Sequence, residues 1–558
     1  MPEPSQTAPP ESRARYPRLR QIPRQVACRS PFTGSIRPGR VPLIDFDDAR
    51  PALPFPHPWN YREPLTILET FFHRAERSEG ASRHTRYLDV PGFAPVLVTR
   101  DPRLIRAISQ ATGDRPGMFD RDTLPSTGIA RATGGDTLLY ANGPRWKHQK
   151  KVSTPPFARA ALFVPEKFDE FEQTLRATVR ERLEVLRGRI EREGSPVRVE
   201  LEPEIKSLML EMLVCNFFGA YIDPAEIREK YVPALDRVIS HIVRDTVVNK
   251  LGIPLARIPS WTRGISETKR AQAAFEELTT RVLEPRRRKE GLWSRFESDA
   301  PDEALRANIR VFLAGALEAT TSYASWAISH LARNPDMQKR LYAEIAHVNA
   351  YTPEALAGAT YLNAVLDETL RLTPALYFHP RKAVTDTLVE TNDGETLNIP
   401  AHTHILLDVW HANRCEEIWG VAQTGYPARA FRPERWLTPM AEGFRKRDLL
   451  HFGFGHGPRF CPGKNLGQLE VALVVGACVK LFQFEAVHAE NAARAGVSTK
   501  PADGVRVELR PRKEIRPSEI PVVRAQKSPM PDRGMGDEGG DISQCPFLNS
   551  VPSRISDA

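Results

Sequence analysis

The hydrophobic positions of this chain follow a helical spacing over much of its length. Apolar residues recur at i, i+3 and i+4 within residues 162–189, 302–334, 337–348 and 362–372, which predicts an amphipathic helix in each segment. Runs of β-branched residues at 95–99 and 505–509 are the only strong strand candidates. We therefore expect a mainly α fold with a small β-sheet region.

The two ends of the chain differ in composition from the part between them. Residues 1–45 interleave arginines with prolines, which interrupt helices, so we predict an arm that either orders on docking or stays flexible rather than an organelle transit helix. Residues 524–558 are rich in proline and glycine and predict a mobile tail. Residues 46–523 form the predicted catalytic domain. The longest apolar run, at 471–479, is far shorter than the roughly 18 residues of a membrane helix, so no transmembrane segment is expected.

Composition and charge narrow the class of protein. The 558 residues are 41% hydrophobic with a net charge of +9, which excludes wholesale disorder and favours acidic partners. Binding of nucleic acid would explain only this charge, because the basic arm lacks interleaved aromatic residues apart from Tyr16 and Phe32. The six cysteines are scattered without a Cys-x-x-Cys pair, so the sequence suggests neither a disulfide framework nor a thiolate zinc site. A reducing cytoplasm is the expected location.

The most specific chemistry lies at residues 454–463, Phe-Gly-His-Gly-Pro-Arg-Phe-Cys-Pro-Gly. Its glycines do not form a dinucleotide-binding fingerprint, because Pro458 stands where that pattern needs glycine. A phosphate-binding loop is excluded as well, because five residues separate Gly457 from Gly463 and Asn465 replaces the required serine or threonine. The glycines must therefore serve another purpose.

Cys461 lies on this glycine-rich loop, directly before a predicted helix at residues 464–482. The helix dipole and the N–H groups of the loop should favour a thiolate over a thiol. A thiolate is a soft, electron-donating metal ligand, and on haem iron it favours cleavage of the O–O bond. An isolated cysteine is more often a buried apolar residue. The complete ten-residue segment instead favours the interpretation of Cys461 as a metal ligand.

This segment closely resembles the ligand loop of the cytochrome P450 family of haem-thiolate monooxygenases. The resemblance implies that Cys461 is the axial ligand to the iron of haem b (iron protoporphyrin IX). It implies that Phe454 packs beneath the thiolate, that Arg459 pairs with a haem propionate and that Gly463 belongs to the cofactor-binding loop. The implied fold places the haem between a long distal helix and this proximal loop, and the implied enzyme incorporates an atom of molecular oxygen into its substrate.

Two further segments match the family in the expected order. Glu368 and Arg371 lie three residues apart on one predicted helix, where a carboxylate and a guanidinium can meet; alone, such a pair is usually a weak surface contact. Arg435, within Phe-Arg-Pro-Glu-Arg-Trp at 431–436, resembles the arginine that completes a Glu-Arg-Arg network with them. By this resemblance the network is structural and fixes the loop that presents Cys461.

Three more residues resemble haem-binding positions. Trp146 and Lys150 match a helix of the family on which tryptophan precedes a propionate-binding base, here a lysine where arginine is commoner. A core tryptophan beside a solvated basic patch is the alternative interpretation of this pair. Arg381 resembles a further propionate-binding position. The resemblance spans about residues 50–515.

The predicted helix at 302–334 resembles the distal helix of the family, where an acid followed by threonine passes protons to bound oxygen. Aligned without gaps, Glu318 takes the acid position and Ala319 the alcohol position, and Thr320 falls one residue late. A shift of one position along an α-helix changes the direction of a side chain by about 100°. Thr320 therefore faces the oxygen only if the helix is locally widened. We expect Glu318, with Thr320, water or a substrate hydroxyl, to deliver the protons of a monooxygenase. A haem-thiolate peroxygenase, or an isomerase or dehydratase, is the alternative.

The resemblance also predicts substrate and partners. Leu376, Tyr377 and Phe378 suggest an apolar wall and hence a hydrophobic small molecule, of fatty acid, terpenoid or polyketide type, beside O2. The haem domain occupies nearly the whole chain, so electrons must come from a separate acidic ferredoxin, flavodoxin or reductase. The basic residues that could dock this partner are Lys147, Lys150, Lys151, Arg445, Lys446, Arg447 and Lys464. A non-catalytic haem sensor, the rival class, would need Cys461 but not Glu318.

Overall fold

The computed structural model describes residues 43–45, 65, 84–89, 96–113, 118–122, 137–248, 259–288, 291–294, 302–390, 396–399, 401, 403–438, 451–489 and 492–512. Apart from its last three residues, the predicted arm at 1–45 lies outside this part of the chain, as does the whole predicted tail at 524–558. Within these ranges, no helix combines the length and the apolar character that crossing a membrane requires.

Helices make up most of the described chain. In chain order they are α1 (Pro102–Gln110), α2 (Gly143–Ser153), α3 (Arg159–Leu162), α4 (Pro165–Glu193), α5 (Glu202–Glu211), α6 (Pro224–Glu226), α7 (Val232–Val248), α8 (Pro259–Arg288), α9 (Gly291–Ser294), α10 (Asp302–Ala332), α11 (Pro335–Ile345), α12 (Pro353–Gly358), α13 (Thr360–Leu372), α14 (Val409–Ala412), α15 (Glu416–Trp419), α16 (Val421–Thr424) and α17 (Lys464–Leu481). Wider π-helical turns follow α5 at Met212–Phe217 and connect α6 to α7 at Ile227–Tyr231. The chain also forms short 3-10 turns at Pro155–Phe157, Pro433–Trp436 and Gly457–Arg459.

Local sequence signals set the ends of these helices. The Asp101 carboxylate caps α1 by accepting the backbone N–H groups of Arg103 and Leu104. Pro165 and Pro335 occupy the first turns of α4 and α11, where a proline loses no helical hydrogen bond. The helices predicted from the apolar spacing are therefore confirmed as α4, α10, α11 and α13, and the helix predicted after the glycine-rich loop is confirmed as α17.

The strands are short and pair mainly with distant partners. They are β1 (Leu43–Asp45), β2 (Thr85–Asp89), β3 (Val96–Thr99), β4 (Phe119–Arg121), β5 (Val197–Glu200), β6 (Phe378–Ala383), β7 (Thr387–Glu390), β8 (Thr396–Ile399), β9 (His404–Asp408), β10 (Phe482–Ala486), β11 (Ala493–Ala495), β12 (Thr499–Pro501) and β13 (Arg506–Pro511). A six-stranded mixed sheet has the order β1-β2-β3-β9-β6-β4, and an antiparallel sheet has the order β10-β13-β5. β7 pairs with β8, and β11 pairs with β12. The mainly α fold with small sheets is thus confirmed, and β3 and β13 are the strands that the sequence predicted.

The main hydrophobic core lies where α4, α5, α10 and α17 pack against one another. α17 is buried along most of its length, which accounts for the apolar run at 471–479 as an interior helix. β12 packs against α10, since the Ser322 hydroxyl donates to the Thr499 carbonyl at 2.5 Å and the Trp326 indole donates to the Thr499 hydroxyl at 3.2 Å. This contact brings Lys500 of β12 to the middle of α10, 182 residues away from Glu318 along the chain.

Candidate functional site

Backbone hydrogen bonds and two glycines fix the loop that carries Cys461. The Cys461 N–H donates to the Phe454 carbonyl at 2.9 Å. Gly455 and Gly457 have φ angles of 78° and 70°, in the left-handed region that favours glycine. A Cβ atom at Gly457 would also lie 2.2 Å from the Ser109 carbonyl oxygen at the end of α1. These glycines therefore serve the close packing of the loop, not the binding of a phosphate.

The Cys461 thiol lies directly before α17, as the sequence predicts. Burial raises its pKa to about 11, and this effect outweighs the Gly463 backbone hydrogen bond and the Lys464 charge, which both lower the pKa. The Gly463 backbone N–H and the Lys464 charge favour a thiolate, as expected from the sequence, but burial opposes it, so a bound metal ion would have to displace the thiol proton. Phe454 is partly buried, with its ring 6.2 Å from that of Tyr323 on α10.

The structure brings Glu368, Arg371 and Arg435 together in the interior. Arg371 donates through Nε and Nη2 to both oxygens of Glu368, each at 2.8 Å, and Arg435 Nε lies 3.4 Å from the same carboxylate. The Trp436 indole and the Arg432 backbone N–H donate to it at 3.0 and 2.9 Å. Burial by itself raises the pKa of Glu368, but the two arginines and this backbone donor lower it overall. The Glu368 carboxylate is therefore ionised, and both of its oxygens accept hydrogen bonds.

Trp146 of α2 contacts two of the three basic residues that the sequence assigned to the propionates. The guanidinium carbon of Arg459 lies 4.3 Å from the centre of the buried Trp146 ring, and Lys150 Nζ lies 5.0 Å from it. Arg459 Nη2 donates to the Ala141 carbonyl at 2.5 Å and to Asn142 Oδ1 at 2.6 Å. Lys150 is exposed, and its Nζ donates to the carbonyl of the ligand loop's proline at 3.4 Å.

Arg381 is joined by an arginine that the sequence analysis did not identify. Arg121 of β4 stands directly opposite Arg381 of β6 in the antiparallel register. Burial, together with the charges of Arg121 and Arg459, lowers the pKa of Arg381 to about 9. Burial and Arg121 lower the pKa of Arg459 to about 9 as well, against the opposing charge of Asp120. Arg121 lies in no motif, so only the strand register could have revealed it.

These buried guanidinium groups fit a ligand that carries carboxylates. The Nε atoms of Arg121 and Arg459 are buried and, in the part of the chain that the structure describes, lack a hydrogen-bond partner. Like charges held together in the interior destabilise a protein unless an anion neutralises them. The two propionates of haem b would do so, and Cys461, two residues from Arg459, offers the sulfur ligand that its iron requires. The residues present therefore fit haem b.

The middle of α10 presents a strip of small residues that remains accessible. Gly315 is exposed, and Ala316, Ala319 and Thr320 are partly exposed, whereas residues 321–332 are all buried. The Thr320 hydroxyl donates to the Ala316 carbonyl at 2.8 Å. α10 is a continuous α-helix over this stretch, without the local widening that would turn Thr320 to the position of Ala319.

Glu318 points into a buried ionic cluster. Its Oε1 lies 2.9 Å from Lys206 Nζ of α5 and accepts from Lys500 Nζ of β12 at 3.0 Å, and its Oε2 accepts the Ser498 hydroxyl at 2.8 Å. Burial alone raises the pKa of Glu318, but Lys500 and Lys206 outweigh it and lower the pKa to about 2. Lys206 also pairs with Asp236 of α7. Glu318 is therefore an ionised acceptor with both oxygens engaged.

The predicted substrate residues face different surroundings. Leu376 is 40% exposed, and Phe378 is partly buried. Tyr377 is 7% exposed, and its hydroxyl donates to the Gly496 carbonyl at 3.0 Å. The Thr499 N–H donates to the Ala375 carbonyl at 2.9 Å, so this segment runs beside β12. Of the three side chains, Leu376 is the most accessible to a ligand.

The chain is similar to known proteins over most of its length. The family model for Cytochrome P450 matches residues 87–494. "Cytochrome P450 734A6" from Oryza sativa subsp. japonica is 25% identical over 508 residues, which cover 84% of this chain and 87% of that protein. "Cytokinin hydroxylase" from Arabidopsis thaliana is 26% identical over 405 residues, covering 68% and 72% of the two chains. "Cytochrome P450 52A3-B" from Candida maltosa is 25% identical over 453 residues, covering 72% and 78%.

Proposed function

The chain belongs to the cytochrome P450 family, and from this we propose that it inserts one oxygen atom of O2 into a hydrophobic small molecule, with electrons from a separate protein. Membership of the family makes it a haem-dependent monooxygenase; the substrate class, the electron donor and the role of each residue are our proposals. The observation that carries the haem-binding roles is the convergence of Arg121, Arg381 and Arg459 beside the loop that presents Cys461.

Each residue of this cluster has a proposed task in holding haem b. Cys461 binds the iron through its sulfur, and Phe454 and Gly463 shape the loop around that sulfur. Arg121, Arg381 and Arg459 neutralise the propionates, with Trp146 and Lys150 packed against Arg459 and the loop. The Glu368, Arg371 and Arg435 network acts only indirectly, because it holds neighbouring segments in place.

Thiolate-bound haem supplies the chemistry, because the sulfur donates electron density that favours cleavage of the O–O bond. The residues of the chain bind and orient the reactants. The small side chains of Ala316 and Ala319, with Gly315, let a small molecule approach the backbone of α10 closely. Thr320 keeps its hydroxyl on the Ala316 carbonyl, so a proton donor on this face must be a water molecule or a hydroxyl of the substrate.

We assign Glu318 the supply of protons through a rearrangement of its ionic cluster. In the structure its carboxylate is ionised and bound by Lys206, Lys500 and Ser498. To take a proton from solvent and pass it on, Glu318 has to leave at least one of these partners. Proton delivery is therefore coupled to movement of α5 or of β12.

The proposed substrate is apolar, of fatty acid, terpenoid or polyketide type. The exposed Leu376 and the partly buried Phe378 support this proposal, because apolar side chains line sites for such ligands. The electron donor is an acidic ferredoxin, flavodoxin or reductase that docks on the exposed Lys147, Lys150 and Lys151. Arg445, Lys446 and Arg447, which the sequence analysis added to this surface, lie outside the described residues. The scattered cysteines support a location in the reducing cytoplasm.

A second candidate function is a peroxygenase, or an isomerase or dehydratase, on the same haem-thiolate fold. One observation favours it: the acid position is engaged by two lysines and the alcohol position is an alanine, which together weaken proton delivery to oxygen. An enzyme that uses peroxide, or that rearranges an already oxygenated substrate, has less need of that delivery.

The deciding experiment combines a spectrum with a product assay. The ferrous protein with carbon monoxide should show the strongly red-shifted Soret band of thiolate ligation in the wild type and in Cys215→Ser, and lose it in Cys461→Ser. An oxygenated product formed from NADPH, O2 and a reductase system supports the monooxygenase. Product formed only with hydrogen peroxide, or without any oxidant, supports the second candidate. A red-shifted band without turnover of any apolar substrate tested would favour the haem sensor.

A further inference from the structure

A cluster of three potential metal ligands lies outside the set of residues assigned to the haem above, and neither the family nor the haem site accounts for it. It consists of His84, directly before β2, Cys415, directly before α15, and Glu417 within α15. One ligand atom from each residue lies within 4.8 Å of the others. The cluster joins segments that are 333 residues apart in the chain.

We propose that His84, Cys415 and Glu417 bind a zinc ion, with water as the fourth ligand. Imidazole nitrogen, thiolate sulfur and carboxylate oxygen are the donors that zinc prefers, and three protein ligands with one open position form a common zinc geometry. No pattern in the sequence indicated this site, because the ligands do not share a local motif. The fold alone brings the histidine to the cysteine and the glutamate.

The two distances to Glu417 Oε2 are close to those of a tetrahedral site. Bond lengths of about 2.0–2.1 Å to nitrogen or oxygen and about 2.3 Å to sulfur place ligands about 3.4 Å (N to O) and about 3.6 Å (S to O) apart. His84 Nε2 lies 3.2 Å from Glu417 Oε2, and Cys415 Sγ lies 4.0 Å from the same oxygen. A shift of the sulfur by a few tenths of an ångström would shorten the S to O distance to the tetrahedral value.

The degree of burial also suits a bound ion that keeps one water ligand. His84 is 9% exposed and Cys415 is partly buried, whereas Glu417 is exposed. The imidazole and thiol are thus held in place by their surroundings, and the carboxylate closes the site from the solvent side. The metal enters as a divalent cation, the Cys415 proton leaves to solvent, and no electron is transferred.

One neighbour opposes the ion. The Arg100 backbone N–H donates to the His84 carbonyl at 2.7 Å, and the Arg100 charge acts on Cys415. A guanidinium at this position repels a cation, although it also favours the thiolate.

A zinc ion here would tie the start of β2 to the segment that follows β9. Cys415 is two residues from Asn413, whose carbonyl accepts Arg371 Nη1 at 2.7 Å, and Glu416 accepts the Ala428 N–H at 3.0 Å. The ion would therefore fasten the outer sheet to the loops that surround the Glu368 network. The site is consequently structural or regulatory, and it takes no part in oxygen chemistry.

The test uses the haem-loaded protein, in which Cys461 is occupied. After treatment with a chelator and addition of one equivalent of zinc chloride, equilibrium dialysis should retain one zinc per chain. Absorption at the zinc K edge, which iron does not obscure, should show one sulfur neighbour at about 2.3 Å and lighter neighbours at about 2.0–2.1 Å. The temperature of unfolding should rise with zinc.

Four variants decide the ligands. Cys415→Ser, His84→Gln and Glu417→Gln should each weaken zinc binding by about tenfold or more, and Cys415→Ser should also remove the sulfur neighbour. Cys215→Ser is the control and should bind as the wild type does. Glu417 is exposed, so Glu417→Gln keeps the test decisive even where a change at His84 impairs folding. The proposal is overturned if the wild type retains no zinc, or if the sulfur neighbour persists in Cys415→Ser.

Discussion

Glu368 and Arg371 form a two-point ion pair that solvent does not reach. Two of the three guanidinium nitrogens, Nε and Nη2, each lie 2.8 Å from a carboxylate oxygen, and both side chains are 0% exposed. A pair of this kind holds its place because each partner satisfies the other, and loss of one leaves an uncompensated buried charge.

Removal of Arg371 should therefore destabilise the folded protein strongly. We expect Arg371→Met to lower the free energy of unfolding by about 3–5 kcal/mol. Arg340→Met is the matched control, because Arg340 pairs with Glu434 at 3.1 Å but is 52% exposed, and it should cost about 0–1 kcal/mol. Urea unfolding followed by circular dichroism measures both. Equal losses in the two variants would show that burial of the pair does not matter.

Arg121 should contribute to haem retention and not to the stability of the haem-free protein. Loss of one charge-assisted contact to a propionate should speed haem loss by roughly tenfold or more, since such contacts contribute about 1.5–3 kcal/mol. Without haem, Arg121→Gln should be at least as stable as the wild type, because Arg121 faces Arg381 and Arg459. Transfer of haem to apomyoglobin measures the rate. Lys382→Gln removes the same charge from the next residue of β6 and should leave the rate unchanged.

The stability that Glu318 supplies should depend on pH. Its pKa is about 2 in the folded protein, below the ordinary 4.5. A lowered carboxyl pKa stabilises the fold above the unfolded-state value, and this stabilisation is lost as the pH falls from about 4.5 towards 2. At pH 7 the free energy of unfolding of the wild type should exceed that of Glu318→Gln by roughly 3 kcal/mol. At pH 4 this difference should be smaller by about 1 kcal/mol.

Urea unfolding of both proteins at the two pH values tests this dependence. Glu508→Gln serves as the control, because Glu508 pairs with an arginine that is 73% exposed, and its effect should be small at either pH. A difference between wild type and Glu318→Gln that stays constant from pH 7 to pH 4 would mean that the lysines do not lower the pKa of Glu318.

Glu318 and Ala319 should differ in their effect on the use of electrons. If Glu318 supplies protons, Glu318→Gln should lower the ratio of product formed to NADPH consumed far more than Ala319→Thr does. The alanine already lacks a hydroxyl, and its replacement adds one on the accessible face of α10. Product and NADPH are measured in the same reaction with a surrogate reductase. Similar ratios in the two variants would exclude the proposed role of Glu318.

Electron transfer should become slower at higher salt concentration if the exposed lysines of α2 dock an acidic partner. The rate of reduction by such a partner should fall as ionic strength rises, because attraction between exposed charges is screened over about 10 Å at 0.1 M salt. Lys147→Glu should slow reduction several-fold at low salt, whereas Lys269→Glu, an equal charge change on the exposed surface of α8, should not. Rates that are independent of salt would exclude this docking surface.

The sequence by itself determined several of the helices and the identity of the ligand loop. Apolar spacing is a local property, so α4, α10, α11 and α13 could be predicted from it, and α17 was predicted from the loop that precedes it. The segment around Cys461 could be identified because cysteine, glycines and arginine stand at fixed offsets along the chain. The same holds for Glu368 and Arg371, which share one helix face.

Only the tertiary structure decided which distant residues meet. The strands are three to six residues long and pair across large sequence separations, so most escaped prediction, and with them the position of Arg121 opposite Arg381. The same reason hid the lysines that bind Glu318 and the approach of His84 to Cys415. Burial is likewise a property of the folded chain. It raises the pKa of Cys461 where the loop sequence alone favoured a thiolate, because desolvation outweighs the Gly463 backbone hydrogen bond and the Lys464 charge.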